Sequence, residues 1–135
     1  MRILLADRQD ITRMGLVHII QQMNVGDKEE MPGIEWKYVE DKAELMLALK
    51  DDDDAVVVLD YTLFDINDAD ELLILHQRFT HTRWLLFSED LSVDFVRVLI
   101  ASSTQFSILT KDSQLSEIKA AILYCVPVSD THLRA

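Results

Sequence analysis

One short stretch constrains the fold more than any other, residues 55–60, which read Ala-Val-Val-Val-Leu-Asp. The run is apolar without alternation and rich in β-branched residues, and it ends at a carboxylate. Such a pattern predicts a strand buried on both faces, as the central strands of parallel sheets are. In open α/β sheets the ligand site lies just outside the carboxyl ends of such strands, so Asp60 is the first candidate for chemistry. An isolated Asp after a strand can also simply cap the next turn, and the rest of the chain has to distinguish these interpretations.

Strand-like and helix-like segments alternate along the whole chain. Predicted strands cover 2–6, 34–39, 55–59, 83–88 and 106–110, and predicted helices cover 11–23, 41–50, 68–79, 92–102 and a last segment from 113 to 126. Five βα units predict an α/β fold, a five-stranded parallel sheet with helices on both faces. Right-handed crossovers leave few topologies, and the flavodoxin-like strand order 2-1-3-4-5 is the common solution for five strands.

Helix ends and helix faces can also be predicted from the pattern. We expect Asp10 to cap the first helix and Ser113 to cap the last one. Apolar residues at helical spacing, among them Ile11, Met14 and Leu115, are predicted to face the core.

Composition excludes several classes of protein. The chain has 135 residues, which suits one domain, and its single cysteine excludes an internal disulfide. No apolar run approaches the ~20 residues of a membrane span, so we expect a cytoplasmic protein without a membrane partner. Thirteen basic against 24 acidic residues give a formal charge of −11, which opposes binding of a phosphate backbone by this chain alone. The three glycines form no nucleotide-cradling loop, and the four histidines lack ligand spacing.

The predicted strand order brings four polar residues to one end of the sheet. Asp7, Asp60, Ser88 and Lys111 stand at or directly after the ends of strands one, three, four and five. A carboxylate beside a hydroxyl and an ammonium can accept a phosphoryl group, with Asp60 as the nucleophile. Lys111 would supply positive charge to the phosphoryl oxygens and Ser88 a hydrogen bond. A divalent metal normally completes such a site.

These residues resemble the receiver domain of response regulators, which is CheY-like, and in particular the NarL/FixJ-like subgroup with a LuxR-type DNA-binding output domain. The stretches similar to the family's first strand and helix, phosphoacceptor strand, switch-hydroxyl strand and lysine strand are 3–16, 58–60, 86–88 and 109–112. The resemblance covers residues 1–126 as a receiver domain, and 127–135 are expected to begin a linker or tail.

The resemblance implies a phosphoprotein of a two-component phosphorelay. A sensor histidine kinase would phosphorylate Asp60, and a conformational change would pass to an output domain or partner, with transcription regulation as the result. DNA would be bound only through an output domain absent from this chain, a homodimer is possible, and no enzyme activity is expected. Asp7 and Asp60 would hold Mg²⁺.

Three departures from the family pattern are visible. Arg8 stands where the family has a second acid that ligates Mg²⁺, Leu63-Phe64 replaces its Met-Pro, and Ile108 replaces its aromatic switch residue. With Arg8 present the formal charges of the site cancel, so Mg²⁺ binding and metal-dependent phosphorylation should be weak or absent. Arg8 could pair with Asp60, clamp a phosphate in place of the metal, or point to solvent beside a weakened metal site.

Two other functions remain open. The first is a pseudo-receiver that acts by dimerisation or partner binding without phosphorylation, which Arg8 favours. The second is a phosphatase similar to the haloacid-dehalogenase type, which also uses an Asp nucleophile. Those enzymes need a second Asp two residues later as general acid, where this chain has Thr62.

Overall fold

The computed structural model describes residues 2–26, 34–60, 66, 68–89, 93–102 and 105–124. Strands and helices alternate along the chain as β1 Arg2–Ala6, α1 Asp10–Gly26, β2 Glu35–Tyr38, α2 Lys42–Asp51, β3 Val56–Leu59, α3 Ala69–Arg78, β4 Arg83–Ser88, α4 Val93–Ser102, β5 Phe106–Thr110 and α5 Leu115–Tyr124. The five strands form one parallel sheet in the order β2-β1-β3-β4-β5. The predicted α/β fold and strand order are therefore confirmed.

β3 is the centre of the sheet, and all four of its residues are buried. It pairs with β1 on one side and β4 on the other. Successive side chains of a strand point to opposite faces, so the sheet supports two apolar layers. Val57 and Leu59 pack in the layer that contains α2, α3 and α4, and Val56 and Val58 pack in the layer that contains α1 and α5. Helices thus cover both faces, as predicted.

β2 is the edge strand next to β1. Glu35, Trp36 and Lys37 are exposed, while Tyr38 is half-buried. Most of this edge strand therefore faces solvent. No helix in the described part of the chain is both long and apolar enough to cross a membrane.

The two predicted helix caps are wrong by one residue. α1 already includes Asp10, and the carbonyl of Gln9 accepts the hydrogen bond from Arg13 N at 3.0 Å. The Asp7 carboxylate accepts from Gln9 N at 2.8 Å, which turns the chain one residue earlier than expected.

At the last helix the cap position belongs to Gln114 rather than Ser113. The carbonyl of Gln114 accepts from Ile118 N, and its backbone N donates to Glu117 Oε1, each at 3.0 Å. This reach of an acidic side chain back to the cap is half of a capping box, which a Ser-based search overlooks.

Three residues predicted to face the core are instead exposed. The exposed fractions are 76% for Ile11, 70% for Met14 and 66% for Leu115. The buried stripe of α1 consists of Leu16, Ile19, Ile20 and Met23. At 100° per residue, Ile11 and Met14 lie on the side of the helix away from that stripe. The linker expected at 127–135 lies outside the described residues.

Candidate functional site

The backbone ladder sets the positions of the polar residues at the carboxyl end of the sheet. Beyond the end of β3, Asp60 N donates to the Ala6 carbonyl at 3.1 Å, and beyond β5, Lys111 N donates to the Ser88 carbonyl at 3.0 Å. These bonds continue the pairing of β1 with β3 and of β4 with β5 by one more residue. Asp60 and Lys111 therefore leave the sheet side by side with their neighbours instead of entering free loops.

The Asp60 carboxylate is buried and engaged at both oxygens. Oδ1 accepts a hydrogen bond from Ser88 Oγ at 2.8 Å, and Oδ2 lies 2.7 Å from Lys111 Nζ. The structure thus brings together the three residues for which the sequence predicts phosphoryl-group chemistry. Their roles stay predictions, since contact alone does not demonstrate transfer.

Lys111 joins the two acids of the site. Its side chain is 8% exposed, and Nζ lies 3.0 Å from Asp7 Oδ2 as well as 2.7 Å from Asp60 Oδ2. Burial by itself disfavours the ammonium form of Lys111. Hydrogen bonds to Asp60 and Asp7, together with the negative charges of both, outweigh burial, so the pKa of Lys111 is raised. Lys111 therefore remains a cation at neutral pH.

Asp7 is fully buried and has two different oxygens. Oδ1 accepts from Gln9 N at 2.8 Å. Oδ2 lies 3.0 Å from Lys111 Nζ and has no other hydrogen-bond partner among the described residues. This oxygen keeps unused capacity as an acceptor or as a metal ligand.

Gln9 is a site residue that the sequence reasoning missed. Its Oε1 accepts from Lys111 Nζ at 2.9 Å. A buried lysine ammonium has three protons that each need an acceptor, so an inventory of donors is the signal that could have pointed to a nearby amide oxygen.

The Arg8 side chain is exposed at the surface. Its Nε donates to the Glu40 carbonyl at 3.2 Å, and the Arg13 guanidinium contacts the Glu40 carboxylate at 3.0 Å. This placement favours the third possibility for Arg8, an exposed arginine beside a weakened metal site. The buried part of the site carries the two carboxylates of Asp7 and Asp60 against one ammonium, and the charge of Arg8 lies at an exposed position beside them in sequence.

The residues present fit a divalent cation weakly. Carboxylate oxygens of Asp7 and Asp60 are the ligand type that Mg²⁺ prefers, and Asp7 Oδ2 has acceptor capacity left. However, Lys111 Nζ already contacts both acids, and within the described residues no three His, Cys, Asp or Glu side chains gather as metal ligands. Asp7 and Asp60 would hold the ion, which when bound would add positive charge beside phosphoryl oxygens.

Two other departures from the family pattern are Ile108 and the pair Leu63-Phe64, and the structure describes the first of them. Ile108 is half-buried in β5 and packs against the layer that contains α3 and α4. Thr62 and the pair Leu63-Phe64 lie outside the described residues.

Comparison with known proteins gives a clear answer for the fold. No protein-family model matches the chain, and no curated protein matches it. Among solved structures, it is similar to a LuxR-family two-component response regulator from Aurantimonas sp. SI85-9A1, with 24% identity over 93% of this chain and 84% of that one and a TM-score of 0.69. The receiver domain of the response regulator NarL from Mycobacterium tuberculosis shows 23% identity over 93% and 94%, with a TM-score of 0.67.

A third solved structure lies further away in sequence. The chemotaxis protein CheY4 from Vibrio cholerae shows 14% identity over 92% of this chain and 97% of that one, with a TM-score of 0.70. All three likenesses extend over nearly the whole chain, at identities that establish architecture and nothing finer. The chain therefore has the CheY-like fold of response-regulator receiver domains.

Proposed function

We propose that this chain is a receiver domain of two-component signalling that accepts a phosphoryl group on Asp60. The observation that supports this most strongly is the engagement of both Asp60 oxygens, by Ser88 Oγ at 2.8 Å and Lys111 Nζ at 2.7 Å, at the carboxyl end of the central strand. The receiver-domain fold agrees with it. A buried aspartate between a hydroxyl and an ammonium is suited to nucleophilic attack on phosphorus.

In the proposed reaction a carboxylate oxygen of Asp60 attacks the phosphorus of the donor. A bond from oxygen to phosphorus forms, while the bond from phosphorus to the imidazole nitrogen of a kinase histidine, or to the acyl oxygen of a small donor, breaks. The oxygen that attacks gives up its hydrogen-bond donor, which can then contact the incoming phosphoryl oxygens. Lys111 and Ser88 would stabilise the added charge there, which approaches two negative charges at neutral pH.

The signal would leave the site along β4 and β5. Ser88 would move toward the phosphoryl group, and Ile108, opposite Leu86 in the pairing of β4 with β5, would respond. Such a change biases a two-state surface formed by α4, β5 and α5. Because Ile108 is half-buried and aliphatic, its displacement should be smaller than that of an aromatic ring.

The proposal includes partners outside this chain. A sensor histidine kinase would be the phosphoryl source, and an output domain or partner protein would receive the signal, with transcription as the regulated process. The acidic balance of the chain opposes DNA binding by this domain itself. We expect a cytoplasmic protein without catalytic turnover of its own.

The experiment that tests the proposal is intact mass spectrometry after incubation with a small acyl-phosphate donor, with and without Mg²⁺. We expect one phosphoryl adduct in the wild type and none in Asp60→Asn. Asp70→Asn, at an exposed position of α3, is the matched control and should keep the adduct. An adduct that persists in Asp60→Asn would refute Asp60 as the acceptor. Continuous hydrolysis of a small phosphoester that depends on Asp60 would instead indicate the phosphatase.

A second candidate is the pseudo-receiver, and one observation favours it specifically. Lys111 Nζ lies within 3.0 Å of Asp7, Asp60 and Gln9 oxygens, so the ammonium has an acceptor for each of its three protons without a phosphate. If no adduct forms under any condition, dimerisation or partner binding becomes the expected activity. Analytical ultracentrifugation of wild type and Asp60→Asn would then give the same oligomeric state for both.

A further inference from the structure

We infer that Gln9 is a positioning residue, which holds the Lys111 ammonium between Asp7 and Asp60. The effect on phosphoryl transfer rests on the proposed function, whereas the contact that defines the role does not. No part of this assignment uses a metal ion.

The first step is an inventory of donors and acceptors. A lysine ammonium has three protons and accepts nothing. Lys111 Nζ lies 2.7 Å from Asp60 Oδ2, 2.9 Å from Gln9 Oε1 and 3.0 Å from Asp7 Oδ2. With the side chain only 8% exposed, water has little access to Nζ. Gln9 therefore provides the third acceptor that this buried ammonium needs.

The second step is the orientation of the Gln9 amide. Because an ammonium only donates, the amide oxygen and not the nitrogen must face Lys111. In this orientation Thr12 Oγ1 donates to the same oxygen at 2.6 Å. Rotation of the amide would lose the bond from Lys111, because an ammonium cannot accept from the amide nitrogen, whereas the Thr12 hydroxyl can adapt to either orientation.

The backbone of Gln9 is also held in place by two hydrogen bonds. Its N donates to Asp7 Oδ1 at 2.8 Å, and its carbonyl accepts from Arg13 N at the first turn of α1. Asp7 therefore contacts Gln9 through one oxygen and Lys111 through the other, and Gln9 contacts Lys111 directly. This closed ring of three residues sets the ammonium position from the β1–α1 turn.

The chemical consequence follows from Gln9 being neutral. An amide oxygen holds the ammonium without adding a negative charge that would compete with Asp60 for it. Without this acceptor, Lys111 keeps its charge but has one proton unsatisfied and a wider range of positions. Phosphoryl transfer needs the charge at one position, so its rate should fall while affinity for the donor changes little.

The test observes the Lys111 ammonium directly, by ¹H–¹⁵N NMR at constant pH and low temperature. Lys111→Arg assigns the signal, and exchange of the ammonium protons with water is measured. We expect a slowly exchanging signal in the wild type and exchange about tenfold faster in Gln9→Met, the loss expected for one hydrogen bond to a charged group. Gln9→Glu keeps an acceptor oxygen and should keep slow exchange. Gln21→Met, at an exposed position of α1, should match the wild type.

The variant Thr12→Val and the rate of adduct formation test the same role of Gln9 independently. Thr12→Val removes only the hydroxyl that contacts the amide oxygen of Gln9, and should give an intermediate rate of exchange even if Gln9→Met fails to fold. Equal exchange in the wild type and in these variants, or no protected signal in the wild type, would overturn the assignment. With the acyl-phosphate donor, Gln9→Met should form the Asp60 adduct about fivefold more slowly. If the wild type forms no adduct but its ammonium depends on Gln9, the proposed function fails and the positioning role stands.

Discussion

At the carboxyl end of the sheet a lysine lies between two buried carboxylates, whereas near the amino end of β5 a histidine packs against an aromatic ring. Lys111 contacts Asp7 and Asp60, and its pKa is raised although burial opposes the charge. The rings of His76 and Phe106 pack in a T-shaped arrangement with their centroids 5.1 Å apart, and burial lowers the pKa of His76. The Nδ1 atom of His76 is buried without a hydrogen-bond partner among the described residues. Burial therefore favours the neutral form of His76, whereas the acceptors around Lys111 favour its charged form.

The acidic residues at the two ends of the sheet also differ in how deeply they are buried. At the amino end Asp53 pairs with His81 at 3.2 Å, and the His81 side chain is 74% exposed. At the carboxyl end both acids are almost completely buried. Water screens the attraction in an exposed ion pair, so the pair contributes little to stability. Removing one partner of a buried pair leaves an unpaired charge in the interior and costs much more. We therefore expect large electrostatic effects on stability only at the carboxyl end of the sheet.

The largest expected effect is that of Lys111→Met. The substitution leaves Asp7 and Asp60 buried side by side without a cation, which should cost about 3 kcal/mol in the free energy of unfolding at neutral pH. Denaturant titration measures this, with Lys119→Met at an exposed position of α5 as control. Equal losses in the two variants would show that the buried ion pairs of Lys111 contribute no more to stability than an exposed lysine does.

The next effect concerns metal affinity. Arg8→Asp replaces an exposed cation with a potential ligand beside Asp7, and should tighten Mg²⁺ binding about tenfold. Isothermal titration calorimetry measures the affinity. Arg78→Asp makes the same charge change at the far end of α3 and should alter it little. Equal Mg²⁺ affinity in Arg8→Asp and the wild type would contradict the view that Arg8 weakens the site.

A smaller effect is expected from the pH dependence that His76 confers. Its pKa is lowered in the folded state, so the unfolded chain binds the proton more readily. The contribution of the neutral His76 side chain to stability is fully present above the ordinary histidine pKa of about 6.5, and it should fall as the pH drops below that value. His76→Leu should remove part of this acid sensitivity in thermal unfolding, while the exposed control His18→Leu should not. A pH profile unchanged by His76→Leu would contradict this account.

The smallest effect is expected at the exposed pair. His81→Ala should change the free energy of unfolding by less than about 1 kcal/mol, and high salt should reduce even that difference. Thermal unfolding at low and high salt is the measurement. A loss comparable with that of Lys111→Met would show that exposure does not separate the two ends.

Several features of the site could be predicted because they follow from topology. Parallel strands place their carboxyl ends at one edge, so Asp7, Asp60, Ser88 and Lys111 had to approach each other once the strand order was known. Gln9 could not be predicted with the same logic, because it belongs to a turn and reaches Lys111 across 102 positions of sequence. Arg8 was equally undetermined, since its long side chain can reach either the site or the Glu40 carbonyl.

The sequence by itself determined the alternation of strands and helices, the buried central strand and the strand order, because hydrophobic periodicity and the handedness of crossovers leave few alternatives. Only the tertiary structure decided which helix faces are buried, as the exposed Ile11, Met14 and Leu115 demonstrate. Packing against the sheet selects one stripe of each helix, and helical spacing alone does not say which. The same holds for the Lys111 ammonium, whose acceptors come from three separate segments and meet only when the sheet has formed.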